Sequence, residues 1–344
     1  GKGICLGPSN FLGRAYQQVP VAITVEGANI LTRSLIIFGQ GAIRCHPYVM
    51  AEMQAAQKND LVAFDRALFA HIGHTIGNGL RAVVTGLTGS HFVGVPANVA
   101  PETRRYYQQL TRFSAAFAFL ADVSMLVMGG DLKRKEKLSA RMGDILSLMY
   151  LSSAVLKRYE SEGRQQADAP LMHWAIWDSM FKAQNAFEGV VSNFPSRFVS
   201  TFLRRTIFPL GRPYVVPSDK LGGQVADLLI APSATRDRLT ADMYLPRDEH
   251  DPVGVIELAL EATLQAEPVH AKLRAAQKAG KLEARSAQEL ESQALAHGVI
   301  TSAEHALLVR ARELTGEVIK VDDFPFDLGL QRSEPKPVTH RAAA

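Results

Sequence analysis

The sequence predicts an all-α fold, on three observations. Apolar residues recur at intervals of three and four through long stretches of the chain, which is the period of a helix face. Alternation of apolar and polar residues, the mark of a half-buried strand, is nearly absent. Residues that start and stop helices stand at the ends of the periodic stretches. With 344 residues, 47% of them apolar, the chain can bury one large core or two modest ones.

The first long helix is predicted after the β-branched run at residues 23–25, and at most a short helix around Phe11 to Gln17 precedes it. The long helix is predicted to end at His46-Pro47, because a residue before proline disfavours helical angles. Its buried stripe, at steps of four and three, consists of Leu31, Leu35, Phe38 and Ala42.

A second helix is predicted after the capping pair Asn59-Asp60. Three glycines interrupt it, which lowers helix propensity but permits close approach of a neighbouring helix; they are Gly73, Gly77 and Gly79. Its apolar stripe consists of Leu61, Phe64, Leu68, Ile72, Ile76 and Leu80.

The middle of the chain predicts a helical hairpin. Pro101 opens the first arm, Gly129-Gly130 closes it, and a charged elbow at residues 131–137 leads into the second. The stripes of the two arms are Leu110, Phe113, Phe117 and Leu120, then Leu138, Met142, Ile145, Met149 and Leu156. A further helix with Trp174, Trp177 and Phe181 ends near Pro195, and Ser196 starts the next.

The last part of the chain changes character. Residues 217–252 are rich in turn residues, and two capping-box signatures follow, Ser286 with Glu289 and Thr301 with Glu304. We therefore predict four segments: 1–46, 47–215 as a helical bundle, 216–325 as a looser helical region, and 326–344 as a flexible tail rich in proline and charge.

Composition bounds the setting of the protein. A net charge of +4 and a pI near 9.0 are too mild to indicate nucleic-acid binding. The two cysteines, Cys5 and Cys45, show no metal-ligand or redox spacing and favour a cytoplasmic setting. No signal-peptide pattern follows the initial Gly-Lys-Gly, and we interpret the chain as a piece of a longer polypeptide. The apolar run at residues 113–130 contains Asp122, which favours a buried helix over a membrane span.

Glu26 is the main candidate for chemistry. It stands at the start of the first long helix, in the stretch EGANILTR. An acid there is stabilised by the positive end of the helix dipole, which is the ordinary interpretation. The alternative is a catalytic base, and the residues alone leave both open.

EGANILTR resembles the signature E-G-T/A-N/S-x-I/L-x-R of the acyl-CoA dehydrogenases, with Glu26 at its first position and Arg33 at its last. The stretch from residue 17 to 49 is similar to the large bacterial members of β-oxidation, which append a long helical region of their own. The resemblance implies the last helix of an acyl-CoA dehydrogenase C-terminal bundle, followed by an additional helical bundle.

The resemblance also implies an activity, the FAD-dependent α,β-dehydrogenation of acyl-CoA to trans-2-enoyl-CoA in fatty-acid β-oxidation. Glu26 would remove the α-proton, and Gly27 would leave room for the substrate. The flavin contacts would come from Ala28, Asn29 and Ile30, although Ala28 and Ile30 lack the polar side chains common in the family. The implied electron acceptor is an electron-transferring flavoprotein. The isolated chain is not expected to be active, because it holds too few flavin contacts.

A second hypothesis is a non-catalytic helical module for dimerisation, membrane association or docking of partners. A homo-oligomer is expected, and peripheral attachment to the inner membrane stays open. The basic residues at 133–137 could touch anionic lipid or CoA phosphate, but a solvated elbow is favoured.

No metal site is predicted. His71 and His74 share a helix face and could in principle bind metal, but no acid or cysteine on the same turns completes a set. Packing or surface histidines are therefore favoured. Asp122 and Asp178 interrupt apolar stripes, and each is predicted to pair with arginine or lysine. No P-loop, dinucleotide fingerprint or G-x-S-x-G elbow occurs, so nucleotide-triphosphate and hydrolase functions gain no support.

Overall fold

The computed structural model describes residues 1, 3–4, 7, 9–22, 29–284, 286–322 and 324. Their regular structure consists of helices, with no β-strand in these ranges, which confirms the all-α prediction. The α-helices are α1 (Phe11–Val21), α2 (Gly41–Arg44), α3 (Val49–Gln57), α4 (Leu61–Leu87), α5 (Arg104–Met128), α6 (Glu136–Ser161), α7 (Ala169–Ser192), α8 (Arg197–Ile207), α9 (Asp219–Ile230), α10 (Ala234–Thr240), α11 (Gly254–Lys278), α12 (Ala287–Ala296) and α13 (Ser302–Val318).

The chain divides into two compact units. One consists of residues 21–235, and the other of residues 1–20 together with the residues from 236 onward. The four segments predicted from the sequence concern the expected limits of family regions, and they stay a prediction.

The first long helix is not the regular α-helix that the sequence predicted. Asn29–Gln40 form a π-helix, and the α-helical turn α2 follows directly. A π-helix bonds each residue to the fifth residue along the chain, so steps of three and four no longer keep one line on its surface. Phe38 is nevertheless buried, and the helical run ends at Arg44, before His46 as predicted.

The core of the larger unit lies among α5, α6, α7 and α8. Helix α6 packs along α7 more extensively than along α5, so the predicted hairpin of α5 and α6 is part of a larger bundle. The predicted stripes of α5 and α6 supply much of this core, with Phe113, Leu120, Met142, Ile145 and Leu156 almost fully buried. The largest buried residues from α7 and α8 are Ile176, Met180, Phe187, Leu203 and Ile207.

Helix α4 turns most of its predicted stripe outward, while Phe64 and Leu68 are partly buried. Leu61, Ile76 and Leu80 are 75%, 58% and 63% exposed. Small residues are buried instead, namely Asn78, Gly79, Ala82, Thr85 and Gly86. The close approach predicted at glycines occurs at Gly79, where an added Cβ would lie 3.0 Å from the Phe119 ring; Gly73 and Gly77 have nothing within 4 Å of that position.

Several predicted helix ends are confirmed. The Asp60 side chain accepts a hydrogen bond from the Ala63 N–H at 3.0 Å, and the Ser196 hydroxyl accepts one from Val199. Thr301 and Glu304 form a complete capping box at the start of α13. Gly129 ends α5 with a φ of 51°, a left-handed value that costs glycine little.

Helix α5 with the turn after it, Arg104–Lys133, is the one helix in the described ranges long and apolar enough to cross a membrane. It behaves as a core helix of the bundle. Its buried residues include the charged Arg112, which donates to the Ile207 carbonyl at 3.1 Å, and Asp122. The preference for a buried helix over a span rests on these contacts.

The smaller unit is organised by the pairing of α11 with α13. Val255, Ala266 and Leu273 of α11 face Leu308 and Leu314 of α13, and all five are nearly inaccessible. Ala294 of α12 and Ile300 of the following turn close this second apolar cluster.

Candidate functional site

The signature residues are described only in part. Glu26, Gly27 and Ala28 lie outside the described residues. Asn29 and Ile30 begin the π-helix, and their side chains also lie outside the described part of the chain. The roles predicted for these five residues therefore stay predictions, and the structure contributes the surroundings of the helix that follows them.

That helix is seated against α6 and α5. Arg33, the last residue of the signature, forms an ion pair with Asp144 of α6 at 3.2 Å between Nη1 and Oδ1. The pair is partly exposed, so its contribution is at most about 1 kcal/mol. Closer packing comes from Ser34, which is buried, and from Phe38, whose ring meets the edge of Phe117 at 6.1 Å between centroids. These contacts hold the helix that follows Glu26 against the helical bundle.

A polar cluster lies where the chain leaves this helix. His46, from the turn before α3, places its Nε2 atom 3.0 Å from Oδ1 of Asp122 in α5. The Nε2 atom of His71 in α4 lies 3.7 Å from the same oxygen. The three side chains come from three separate elements, and one ring nitrogen or carboxylate oxygen from each lies within 4.8 Å of those of the other two.

The cluster is held by further hydrogen bonds. The Thr75 hydroxyl donates to Oδ2 of Asp122 at 2.7 Å, and His71 Nδ1 lies 2.8 Å from a carboxylate oxygen of Glu52 in α3. The His46 Nδ1 atom accepts from the N–H groups of Tyr48 and Val49, each at 3.2 Å. Burial lowers the pKa of His46, while the neighbouring Asp122 acts in the opposite direction. The arrangement joins α3, α4 and α5 around one carboxylate.

The structure corrects the prediction for Asp122 and confirms the one for Asp178. Asp122 was predicted to pair with arginine or lysine, and that is wrong: its ion-pair partners are His46 and His71. The prediction for Asp178 is confirmed, since it pairs with Lys182 at 2.7 Å. The acids beside His71 come from other helices, Glu52 from α3 and Asp122 from α5, and not from its own turns. The buried acid in the apolar stripe of α5 was the signal that could have found the cluster.

The helical region of the chain matches a known protein family. The family described as acyl-CoA dehydrogenase, C-terminal, bacterial type, matches residues 43–324, and the chain belongs to this family. A general acyl-CoA dehydrogenase role follows from that membership. No solved structure matches the chain. The matched region begins after EGANILTR, so it supports the helical region independently of the signature.

Proposed function

We propose that this chain supplies the catalytic glutamate of a FAD-dependent enzyme that converts acyl-CoA to trans-2-enoyl-CoA in fatty-acid β-oxidation. Glu26 is the base that removes the α-proton, and its backbone N–H helps to hold the thioester carbonyl. Removal of such a weakly acidic proton needs a positioned base and a donor for the developing enolate oxygen.

The observation that carries this proposal is the continuity between signature and family region. The helix that starts at the signature is packed on α6 through Arg33 and on α5 through Phe38, and the family region begins at residue 43, directly after it. An enzyme of the large bacterial type would have this order: signature, last helix of the catalytic bundle, then the added helices.

The remaining roles follow from the same resemblance. Gly27 would leave space for the acyl-CoA, and Ala28, Asn29 and Ile30 would supply the contacts to the flavin. FAD would supply the hydride acceptor for the β-carbon, and an electron-transferring flavoprotein would take up the electrons. The proposed setting is the cytoplasm, with the protein as a homo-oligomer.

A second candidate function rests on exposed apolar side chains of α4 and α8. Phe69 and Phe198 are 70% and 85% exposed, which is unusual for phenylalanines on helices packed into a bundle. These two exposed side chains suit the alternative function, a helical module for dimerisation, docking of partners or attachment to the inner membrane. Replacing both residues with serine tests it: sedimentation and vesicle binding of the full-length protein should change, and unaltered behaviour in both would exclude it.

The catalytic proposal is tested by Glu26→Gln in the full-length enzyme. The amide keeps the size of the side chain but accepts no proton, so anaerobic bleaching of the flavin by a long-chain acyl-CoA should slow by about 10²–10⁴-fold or more. Flavin content and acyl-CoA binding should be nearly unchanged.

A matched control is Glu136→Gln, because Glu136 is an exposed acid in the first turn of α6. This control removes a charge from a helix start without touching the proposed site, and bleaching should stay at the wild-type rate. If Glu26→Gln bleaches as fast as Glu136→Gln, then Glu26 is only a helix-start acid and the proposal fails.

A further inference from the structure

We propose that His46, His71 and Asp122 form a binding site for a divalent transition-metal ion, for which Zn²⁺ is the probe. The inference is independent of the proposed dehydrogenase chemistry. Two imidazole nitrogens and one carboxylate oxygen converge from the turn before α3, from α4 and from α5. Imidazole with a single carboxylate suits zinc and its neighbours in the first row, whereas magnesium and calcium prefer oxygen ligands throughout.

Two of the three spacings between the proposed ligand atoms are close to those of a zinc site. Ligands bound tetrahedrally to zinc at about 2.0–2.2 Å lie about 3.3–3.6 Å from one another. In the protein, Oδ1 of Asp122 lies 3.0 Å from His46 Nε2 and 3.7 Å from His71 Nε2. The three side chains are 9%, 19% and 3% exposed for His46, His71 and Asp122. His71 is the most exposed of the three, so an ion would enter, and water would bind as a fourth ligand, from its side.

The groups around the cluster orient two of the ligands. Thr75 donates to Oδ2 of Asp122, which leaves Oδ1 directed at both histidines. Glu52 accepts at His71 Nδ1, which places the proton on that nitrogen and the lone pair of Nε2 toward Asp122. A carboxylate that holds the far nitrogen of a ligating histidine is a common support of zinc sites.

The charge balance also favours a cation. Asp122 is buried and Glu52 is half-buried. Asp122 pairs with His46 and His71, and Glu52 pairs with His71; histidines carry charge only when protonated. A divalent ion would offset both carboxylates without requiring either histidine to be charged.

The hydrogen bonds of His46 weaken metal binding. Its Nδ1 accepts from the amides of Tyr48 and Val49, so without metal the proton resides on Nε2 and is donated to Asp122. Metal binding at Nε2 moves that proton to Nδ1 and breaks both amide contacts at the start of α3. The affinity should therefore be about 10- to 100-fold weaker than for a site whose far nitrogen faces an acceptor.

The test is Zn²⁺ titration of the full chain, free of affinity tags and pretreated with a chelator, in competition with a chromophoric chelator. The wild type is expected to bind one Zn²⁺ per chain. His71→Ala and Asp122→Asn should each weaken binding by about 100-fold, and Glu52→Gln by about 10- to 100-fold. His74→Ala is the matched control, since His74 lies on the same face of α4 but outside the ligand set, and it should bind as the wild type does.

A second measurement needs no variant. Co²⁺ added to the wild type should give the intense visible absorption of a four-coordinate ion, and Zn²⁺ should abolish that absorption. The proposal is overturned if the wild type binds no stoichiometric Zn²⁺, or if folded His71→Ala or Glu52→Gln binds as tightly as the wild type does. It is also overturned if His74→Ala loses binding as fully as His71→Ala.

Discussion

The carbonyl oxygen of Arg33 lies 2.9 Å from the position that a Cβ atom on Gly143 would occupy. Gly143→Ala should therefore push the helix that follows Glu26 away from α6, because a backbone atom cannot turn aside as a side chain can. We expect a loss of about 1–3 kcal/mol in the free energy of unfolding, measured by urea denaturation.

Gly73→Ala is the control for that substitution. Gly73 also lies inside a helix, and its added Cβ would have nothing within 4 Å. Alanine should stabilise this position by about 0.5–1 kcal/mol, because it favours the helix over the unfolded chain. Equal effects of the two substitutions would show that Gly143 is not a contact point.

Gln184 of α7 holds the chain after α8. Its side chain donates to the Tyr214 carbonyl at 2.7 Å and accepts from the Tyr214 N–H at 3.0 Å, in a buried setting. Gln184→Ala leaves both backbone groups without their partner, and each costs about 1–3 kcal/mol. Urea denaturation should show a loss of at least the lower figure. Gln54→Ala, at an exposed position on α3, should change stability by less than about 0.5 kcal/mol.

Leu308 supports the core of the smaller unit and is 1% exposed, whereas its neighbour Leu307 is 37% exposed. Leu308→Ala should cost about 2–5 kcal/mol through lost burial and the cavity left behind. Leu307→Ala should cost much less, because its side chain already meets water. Thermal unfolding followed by circular dichroism compares the two variants. Similar decreases in melting temperature would contradict the burial of Leu308 and the exposure of Leu307.

Mild acid should destabilise the protein through His173. Burial lowers the pKa of His173 from 6.5, against an opposing effect of Glu102, and its Nδ1 lies 2.7 Å from the Tyr106 hydroxyl. Because the folded pKa lies below the unfolded one, the unfolded chain takes up the proton first. This contribution is fully present above pH 6.5 and is lost as the pH falls toward the folded pKa.

Unfolding free energies at pH 7.5 and 5.5 measure this effect. The wild type should lose more stability between them than His173→Asn does, while His297→Asn, at an exposed position, should lose as much as the wild type. Glu160 and Glu188 have lowered pKa values as well, but their contributions are lost below the ordinary carboxyl value of 4.5 and stay out of this window. An identical loss in wild type and His173→Asn would refute the prediction.

The parts of the fold that the sequence predicted are those set by local rules. The caps at Asp60, Ser196 and Thr301 depend on residues three positions apart, and the stripes of α5 and α6 stand out because polar residues flank them. Such signals do not require knowledge of which helices become neighbours.

The remaining features depend on long-range packing. Helix α4 is apolar on more than one face, so periodicity could not tell that its small-residue face, with Gly79 and Ala82, would meet the bundle. The partners of Asp122 lie on other elements, 47 or more positions away along the chain. The catalytic role of Glu26 was predicted from a resemblance, and Glu26 itself lies outside the described residues.

The burial of Phe38 in the bundle core limits where this polypeptide can be truncated. The family region starts at residue 43, yet Phe38 is 2% exposed among residues of the bundle core, Ser34 is buried, and Arg33 pairs with Asp144 of α6. A fragment that began at residue 43 would lose this side chain, leave a hole beside Phe117 and expose a strip of α6. The added helices are therefore not a detachable module: any truncation for expression or domain exchange should keep the whole helix from Asn29 onward.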